Sequence, residues 1–331
     1  MNTVASNSST NVFMDLKQVQ GDASGRQFSM TNTKILPFSD NAIAEAARLI
    51  LAGEPVAVAT ETVYGLAADA TSAAAVARIY EAKGRPSFNP LIVHVPDLPA
   101  ATRIGAFNDA ALQLAEAHWP GPLTLVVPLR ADSGIASLVT AGLPTIGLRV
   151  PAHPAMQALL RAVGRPLAAP SANASGTISP TRAEHVAKSL GGRISLIVDS
   201  GPTERGLEST IVAATGGGLR LLRPGPIAID AELAAGDRIE APGQLASHYA
   251  PSKPLRIDAE AAEPDEYWIG FGALDGDANL SPSGNLTEAA ARLFDLLHQA
   301  DEAAKPKIAI APIPDTGPGS AINDRLRRAA N

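Results

Sequence analysis

Residues 55–95, PVAVATETVYGLAADATSAAAVARIYEAKGRPSFNPLIVHV, contain the pattern from which the fold is predicted. VAVAT (56–60) and LIVHV (91–95) are short apolar runs, which are typical of buried strands. Between them, apolar side chains at helical spacing predict a helix from Thr71 to Lys83. TETVYGL (60–66) follows the first strand directly and is interpreted as a loop closed by glycine. The stretch therefore predicts a strand, a polar loop, a helix and a second strand.

The same alternation extends on both sides of this stretch. Ser39 or Asp40 caps a predicted helix that ends near Gly53. The pattern further predicts helices at 108–118, 153–163 and 181–190, and strands at 123–129, 145–150, 166–169, 194–199, 209–214 and 219–223. A Gly-Gly-Gly run at 216–218 joins the last two strands and indicates a hairpin. Helices interleaved with strands, then a hairpin, predict a mixed α/β sheet with helical cover.

Length and composition limit the class of protein. A chain of 331 residues is longer than one hydrophobic core usually serves, so two domains are expected. The formal net charge of -6 argues against a surface that coats nucleic acid, although it permits a local basic pocket. The absence of cysteine excludes disulfides, thiolate metal sites and cysteine nucleophiles. No apolar run reaches the ~20 residues that span a bilayer, and a cytoplasmic protein without membrane contact is expected.

The two ends of the chain differ in composition from its middle. The N-terminal residues are rich in Ser, Asn and Thr and lack a signal-peptide core, so we expect a disordered tail or a start nearer Met30. The C-terminal part has a strand–helix–strand pattern with Asn285 and Glu288 as a capping box, which predicts a small Rossmann-like α/β domain. The predicted division is a tail at 1–29, a first domain at 30–238, a proline-rich linker at 239–255 and a second domain at 256–331.

Candidate binding residues follow several predicted strands, where ligands bind in α/β sheets. Neither a GxxxxGK[ST] loop nor a strand-linked GxGxxG is present, so any nucleotide must be held differently. Lys83 and Arg85 either clamp phosphates or complement the end of a helix. Arg149 lies in an apolar strand and needs an anionic partner, which is either a protein or a substrate carboxylate. Arg223 is either a further phosphate contact or a solvated strand residue.

Two other segments have equally open interpretations. His94 lies in an apolar strand, where a lone histidine is more often an interior residue than a ligand. Residues 169–176 form a loop of small residues that a ligand could approach closely, and the helix start after it favours anions. The structural alternative is an ordinary loop with a helix cap.

Several motifs in one order decide between these alternatives. They are TETVYGL (60–66), KGRPSFNPLIVHV (83–95), PGPLT (120–124), GLRVPAHP (147–154), APSANASG (169–176) followed by SPT (179–181), STIV (209–212) and LRPG (222–225). Together they resemble the YrdC/Sua5 family of L-threonylcarbamoyladenylate synthases. HYAP (248–251) and the ending GSAINDRLRRAA (319–330) resemble its long Sua5 form, which has an extra C-terminal domain.

This resemblance implies a fold and an activity. The fold is an open, twisted α/β sheet around a positively lined cavity, plus the small C-terminal domain. The activity is that of a nucleotidyltransferase, which condenses L-threonine, bicarbonate and ATP, with Mg²⁺, to threonylcarbamoyl-AMP and pyrophosphate. Separate tRNA threonylcarbamoyl-transfer proteins then use the product to make t6A in tRNA, so direct tRNA binding is expected to be weak or absent.

The resemblance also implies roles for particular residues. The positions that match threonine contacts are Thr62, His94, Arg149, Ala169 and Ser209, with Arg149 on the amino acid's carboxylate. The positions that match ATP contacts are Arg85, Asn89, Thr145, Ser171, Ser179, Arg223 and Tyr249. The positions that match the family's catalytic basic and polar tetrad are Lys83, Arg85, Ser171 and Asn173. No metal ligand is assigned, and Tyr249 in the linker is expected to close over ATP as part of a lid.

Two rival functions fit the composition less well. The first is an RNA-binding module of the same fold that forms no adenylate. An acidic net charge, 4% aromatic residues and the lack of a basic stripe argue against it. The second is a carbamoyl-transfer enzyme of hydrogenase maturation, whose zinc-finger-like segments a chain without cysteine cannot form.

Overall fold

The computed structural model describes residues 32–234, 239–245 and 247–331. The predicted tail at 1–29 and the predicted domain end at 238 lie outside the described residues. Eleven strands build the main sheet: β1 (Lys34–Pro37), β2 (Val56–Ala59), β3 (Tyr64–Asp69), β4 (Ile92–His94), β5 (Leu123–Pro128), β6 (Thr145–Arg149), β7 (Leu167–Ala168), β8 (Leu196–Asp199), β9 (Thr210–Ala213), β10 (Arg220–Arg223) and β11 (Glu232–Leu233).

This sheet is mixed, as the sequence predicted. Its spatial order is β1-β8-β2-β3-β7-β4-β6-β5-β9-β10-β11. The pairs β1·β8, β2·β8, β4·β6, β5·β9 and β10·β11 are parallel, and the remaining neighbours are antiparallel. The hairpin predicted at the three glycines is the antiparallel pair β9·β10.

In the described part of the chain, seven helices accompany the main sheet: α1 (Asp40–Leu51), α2 (Ala73–Lys83), α3 (Leu98–Ile104), α4 (Asp109–His118), α5 (Ser137–Thr140), α6 (Pro154–Val163) and α7 (Ala183–Leu190). Side chains of Ser39, Ser72, Asn108 and His153 cap α1, α2, α4 and α6 by accepting from backbone N–H groups in the first turn. Alternate residues of β2 face opposite sides of the sheet. Val56 and Val58 pack in one apolar cluster with residues of α1 and α6. Ala57 and Ala59 pack in another cluster with residues of α2.

The prediction of a loop over the whole of TETVYGL is wrong in its second half. Tyr64–Asp69 is strand β3, which pairs antiparallel with β2 and with β7. Its residues are all buried, so the alternation of polar and apolar side chains that marks a half-exposed strand is missing. The polar turn is confined to residues 60–63, and Thr60 closes it by donating its hydroxyl to the carbonyl of Val63 at 2.7 Å.

A second sheet follows, with four parallel strands in the order β12-β15-β13-β14. Its elements are β12 (Leu255–Arg256), β13 (Glu266–Gly270), β14 (Ala278–Asn279), α8 (Leu286–Glu302), β15 (Lys307–Ile310) and α9 (Pro318–Ala329). Asn285 caps α8 as predicted. In a capping box the side chain of Glu288 would also accept from the N–H of Asn285, and the described residues of this turn do not form that bond. The N–H of Asn285 donates instead to Ser281, whose hydroxyl also donates to Glu288.

One apolar cluster joins the second sheet to the first. Leu293 and Phe294 of α8 pack in the same buried cluster as Val63, Ile178 and Leu207. The described residues form one compact unit by the density of their contacts. None of the helices among residues 32–234, 239–245 and 247–331 is long and apolar enough to cross a membrane.

Candidate active site

A cavity lies where several strands of the main sheet end. His94 ends β4 and Arg149 ends β6, and these neighbouring parallel strands place the two residues opposite each other. The enclosed space measures about 50 Å³, which is enough for a few water molecules. Its lining is Thr60, Thr62, Val63, Gly65, Arg85, Ile92, His94, Arg149, Ala169, Pro170, Ser171, Glu208, Arg223, Pro242, Gly243, His248 and Tyr249.

Arg149 has a protein carboxylate as its partner. Its Nη2 donates to Oε1 of Glu61 at 2.5 Å, and both side chains are almost fully buried. Its Nη1 donates to the hydroxyl of Thr62 at 3.0 Å, and its Nε donates to the carbonyl of Gly121 at 3.2 Å. Burial raises the pKa of Glu61, but the charge of Arg149 outweighs it, so the pKa lies below its ordinary value. This ion pair is therefore charged on both sides, and two of the five guanidinium N–H groups remain for a ligand.

His94 borders the cavity beside this ion pair. Both of its ring nitrogens are buried and have no hydrogen-bond partner among the residues that the structure describes. Burial, and then the charge of Arg149, holds its pKa well below the ordinary value. The imidazole is thus neutral, with one donor and one acceptor nitrogen facing a polar site. Buried polar atoms without partners are rare in folded proteins, so the two ring nitrogens are an unusual feature beside this polar cavity.

Lys83, the last residue of α2, lies just behind the cavity. Its Nζ donates to the carbonyl oxygens of Ser171 and Asn173, at 2.7 and 2.5 Å. Burial, and then the charge of Arg85, holds the pKa of Lys83 well below its ordinary range. The side chain does not line the cavity, so in this conformation it fixes the segment after β7 rather than touching the enclosed space.

Arg85 and Arg223 line the cavity and donate only to uncharged oxygen atoms. Arg85 donates to the carbonyls of Asn89 and Pro90, at 3.2 and 2.9 Å. Arg223 donates through Nε and Nη2 to the carbonyl of Ser209, at 3.1 and 2.9 Å. Within the described part of the chain, neither forms an ion pair with a carboxylate. Burial lowers the pKa of Arg85 to about 10 and also lowers that of Arg223.

Glu208 is the second carboxylate at the cavity. Its Oε1 accepts a very short hydrogen bond from Ser179, and its Oε2 accepts from Nε of Arg325 at 3.0 Å. Burial raises the pKa of Glu208, but the charges of Arg325 and Arg223 outweigh it and hold the pKa below its ordinary value. The charge of Glu208 is therefore taken up largely by an arginine of α9.

The residues around Tyr249 close the cavity from one side, and we call residues 242–245 and 247–250 the strap. Tyr249 is 1% exposed and has a φ of 66°, a left-handed conformation that a tyrosine rarely adopts. Its ring centroid lies 5.6 Å from that of Phe294 in α8. The N–H of Ala250 donates to the carbonyl of Gly176 at 2.8 Å. Gly243 has a φ of 84°, and a Cβ there would lie 2.7 Å from the Tyr249 hydroxyl.

Two family profiles match the chain. The profile described as telomere recombination, which groups Sua5, YciO and YrdC, matches residues 48–225, and the C-terminal domain profile of threonylcarbamoyl-AMP synthase matches residues 207–331. The threonylcarbamoyl-AMP synthase of Bacillus subtilis (strain 168) is 41% identical, over 90% of this chain and 95% of that protein. That of Pyrococcus abyssi (strain GE5 / Orsay) is 37% identical, over 86% and 93%.

This chain belongs to the Sua5/YrdC family. A crystal structure of P. abyssi Sua5 complexed with L-threonine superposes with a TM-score of 0.82 at 34% identity, and covers 91% of this chain and 98% of that one. The predicted family and the predicted fold class are therefore confirmed, including the C-terminal domain that distinguishes the long Sua5 form.

The structure brings most positions that match Sua5/YrdC contacts to one cavity. Thr62, Arg85, His94, Arg149, Ala169, Ser171, Arg223 and Tyr249 line it. Lys83, Asn89, Ser179 and Ser209 lie behind it, and each forms a hydrogen bond with a lining residue. Asn173 lies further back, where its carbonyl accepts from Lys83. Thr145 stands apart, because it borders a smaller neighbouring cavity of about 10 Å³ that shares Ile92 and Pro242 with the first.

Three residues outside the predicted threonine and ATP contacts hold side chains at or directly behind this cavity. Glu61 holds Arg149, Glu208 holds Ser179, and Arg325 holds Glu208. Glu61 lies inside a quoted motif and Glu208 directly precedes another, but nothing in the motifs says which cation each would meet. Arg325 lies in a helix with several arginines, and only its complete burial distinguishes it from Arg327 and Arg328.

Proposed function

We propose that this chain is a nucleotidyltransferase that makes threonylcarbamoyl-AMP and pyrophosphate from L-threonine, bicarbonate and ATP. Its family and the similarity to two threonylcarbamoyl-AMP synthases support this activity. The observation that supports the binding of a nucleotide is a pair of buried guanidinium groups that line the cavity, Arg85 and Arg223, whose hydrogen bonds in the described chain go only to uncharged oxygen atoms. Buried charges normally have an ionic partner, and a polyphosphate would supply it.

The threonine half has different groups. We propose that the free N–H groups of Arg149 bind the threonine carboxylate and that His94 and Thr62 contact its polar atoms. Ala169 would contribute its backbone, and the Ser209 hydroxyl lies 2.7 Å from that of Thr124. A site that hydrogen-bonds a hydroxyl discriminates strongly against analogues without one, because its buried polar groups would then be left without partners.

The bond changes follow from these two halves. The threonine amine attacks the carbon of CO₂, formed from bicarbonate, and loses a proton to give an N-carboxylate. One oxygen of that N-carboxylate attacks the α-phosphorus of ATP, and the bond from this phosphorus to the bridging oxygen breaks as pyrophosphate leaves. Catalysis of such a transfer rests on positioning and on stabilising negative charge. Arg85 and Arg223 would supply that stabilisation, and Lys83, Ser171 and Asn173 would hold the segment that faces the phosphates.

Mg²⁺ is expected to arrive with the nucleotide. Among the residues whose placement is described, no group of three or more His, Cys, Asp or Glu side chains could hold a metal ion. Glu208, which lines the cavity, is already paired with Arg325, and Glu61, which lies behind Arg149, is paired with that arginine. Mg²⁺ commonly binds to substrate phosphates and water with few protein ligands, where it neutralises phosphate charge. We therefore assign it no protein ligand.

The strap is proposed to open for ATP and to close over it. Ligand pockets of drug-like size measure about 300–1,000 Å³, so the enclosed space here is far too small for a nucleoside triphosphate. Tyr249, Pro242 and Gly243 form one wall and belong to the chain segment proposed as the linker, 239–255. Closure of such a segment would exclude water from a labile acyl-adenylate. On this proposal residues 30–238 form the catalytic domain and residues 256–331 form the C-terminal domain.

The proposed cellular setting follows from the product. A labile adenylate needs acceptor proteins nearby, so we place the chain in the cytoplasm beside the proteins that transfer the threonylcarbamoyl group to tRNA. Direct tRNA binding by this chain would be weak or absent.

The test is pyrophosphate release by the purified full chain with ATP and Mg²⁺. We expect release that requires both L-threonine and bicarbonate, with serine as a weaker substitute. Omission of each component in turn is the control. Release that ignores threonine or bicarbonate would defeat the proposal, and tight salt-sensitive binding of RNA without any release would favour the RNA-binding alternative.

A further inference from the structure

Two buried contacts reach Ser179 from the C-terminal sheet and its helices. The carbonyl of Ser179 lies 3.2 Å from Nε2 of His298, which belongs to α8. The hydroxyl of Ser179 donates to Glu208, whose other oxygen accepts from Arg325 of α9. Ser179 is itself completely buried and lies at the start of the segment that leads into α7. The carbonyl of Ser179 is thus contacted directly by α8, and its hydroxyl is linked to α9 through Glu208.

Arg325 is fully buried and is held by several hydrogen bonds. Its side chain is 0% exposed, and its Nη1 donates to the carbonyl of Pro224 and to Asp324, each at 2.8 Å. The guanidinium carbon lies 5.3 Å from the centroid of the Tyr249 ring, so the same side chain supports the strap. A buried carboxylate without its cation would be very unfavourable, so Glu208 depends on Arg325, its direct ion-pair partner among the described residues.

His298 is held with similar closeness. Its ring stacks on that of His185 in α7, with centroids 3.7 Å apart. Nearby, the loop before Glu208 touches α8 backbone to backbone, since a Cβ on Gly206 would lie 2.3 Å from the carbonyl oxygen of Ala291. There is no room for α8 to shift toward this loop. The contact from His298 to Ser179 is therefore geometrically fixed.

We propose that Arg325 and His298 are positioning residues, through which the C-terminal helices set Ser179 in the orientation that the nucleotide requires. This inference rests on the proposed function, because Ser179 is an ATP contact only by its match to the family's motif. It gives the C-terminal region a part in nucleotide binding that does not depend on opening and closing of the strap. Neither positioning residue touches the enclosed space.

The main test compares Arg325→Met with the double variant Arg325→Met/Glu208→Gln in the full chain. Loss of a hydrogen bond to a charged group typically weakens binding by roughly 10- to 100-fold, so we expect the KM for ATP to rise by that factor in Arg325→Met while the KM for threonine changes little. In the double variant the neutral amide that replaces the carboxylate of Glu208 still accepts from Ser179 and needs no cation. We therefore expect most of the ATP affinity to return.

The pH profile separates positioning from a merely structural role. Glu208 faces Arg325 of α9, Arg223 of β10, and His248 and Tyr249 of the strap, and Asp324 lies beside Arg325. Without Arg325, burial raises the pKa of Glu208. In this variant Glu208 should therefore become protonated at acid pH, and the KM for ATP should change with pH in that range. This pH dependence should be absent from the wild type and from the double variant.

Matched variants keep the test decisive. Arg327→Ala removes an exposed arginine from the same helix and should leave the KM for ATP unchanged. His298→Phe keeps the ring stack on His185 but removes the contact to Ser179, and should raise the KM for ATP several-fold. A folded protein shows a cooperative thermal transition. If Arg325→Met shows none, it is unfolded, and His298→Phe alone decides the test.

The overturning results differ from those that would overturn the function. The positioning role would be overturned if His298→Phe bound ATP within twofold of the wild type and Arg325→Met either bound ATP as the wild type does or did not fold. The positioning role would also be overturned if Arg325→Met and the double variant lowered the affinity for ATP by the same factor and neither showed a pH-dependent KM. Calorimetric titration with ATP measures these affinities even if the wild-type chain releases no pyrophosphate. A lack of pyrophosphate release would count against the proposed function but not against the positioning role.

Discussion

Arg149 and Arg223 are both buried, both end a strand, and both line the same cavity, yet their surroundings differ. Arg149 forms an ion pair with Glu61, so its side of the cavity is close to electrically neutral. Arg223, with Arg85 and Lys83 near it, donates to carbonyl and hydroxyl oxygens only, so its side carries excess positive charge. A neutral side suits a zwitterion such as an amino acid, and a positive side suits a polyphosphate.

This difference also predicts what each arginine does for stability. Removing one partner of a buried ion pair leaves an uncompensated charge, which is strongly destabilising. Arg223 forms no direct ion pair among the described residues and only acts on Glu208 from further away, so its removal mainly relieves a desolvation penalty. The two arginines should therefore have opposite effects on folding although each is expected to be needed for activity.

The largest effect is expected for Arg149→Met. This variant leaves Glu61 charged and buried, so the free energy of unfolding should fall by about 3–5 kcal/mol. Threonine binding should be lost as well. Denaturant unfolding and calorimetric titration with threonine measure the two effects.

A matched double variant separates the two roles of Arg149. Arg149→Met/Glu61→Gln removes both charges, and the amide that replaces the carboxylate can still accept from the N–H of Ala152, as Glu61 does at 3.2 Å. Most of the stability should return, but threonine binding should not. Recovered threonine binding in the double variant would show that Arg149 serves only to compensate Glu61.

Arg223→Met should show the reverse pattern. Loss of one donor to a developing negative charge lowers rates by about 10²- to 10³-fold, and we expect a fall of that order in kcat/KM for ATP. The free energy of unfolding should stay the same or rise. Arg220→Met, in the same strand but partly exposed, is the control and should keep its activity. A stability loss in Arg223→Met as large as that in Arg149→Met would break the contrast between the two sides.

The two sides of the cavity also differ in how far the sequence could predict them. Arg149 was recognisable as an arginine in an apolar strand that needs an anion, and the motif order gave its matching role. The identity of its partner stayed open, because Glu61 lies 88 residues away in sequence and the pairing depends on a turn between β2 and β3. That turn was itself predicted as a longer loop, since the fully buried β3 shows no alternation.

The C-terminal contribution could not be predicted for a similar reason. Leu293, Phe294 and Leu297 of α8 pack against Ile308 and Ile310 of β15, and the helical spacing of such apolar residues is visible in a sequence. Spacing cannot tell which arginine of α9 enters the interior, because Arg325, Arg327 and Arg328 occupy one turn of helix and differ only in what they face. The links from Arg325 to Glu208 and from His298 to Ser179 each span more than a hundred residues. Long-range polar pairs of this kind leave no local signal.

The smallest effect concerns His248, which lies in the strap on the positive side. Burial, followed by the charges of Arg85, Lys83 and Arg223, lowers its pKa to about 3 against a partly opposing effect of Glu208. A histidine that is neutral when folded but has an ordinary pKa when unfolded binds more protons in the unfolded state. Stability therefore rises with pH up to the ordinary pKa of 6.5 and falls as the pH drops below it.

His248→Gln should remove this acid sensitivity. Between pH 7.5 and 5.5 the wild type should lose about 1 kcal/mol more unfolding free energy than the variant, by the linkage of one proton over one pH unit. Other buried histidines contribute equally to both proteins and cancel in the difference. Phosphates between His248 and the cations would weaken the electrostatic part of the shift, so saturating ATP should shrink the difference. An undiminished difference with ATP bound would mean that burial, the largest cause of the shift, keeps His248 neutral without the charges of the cations.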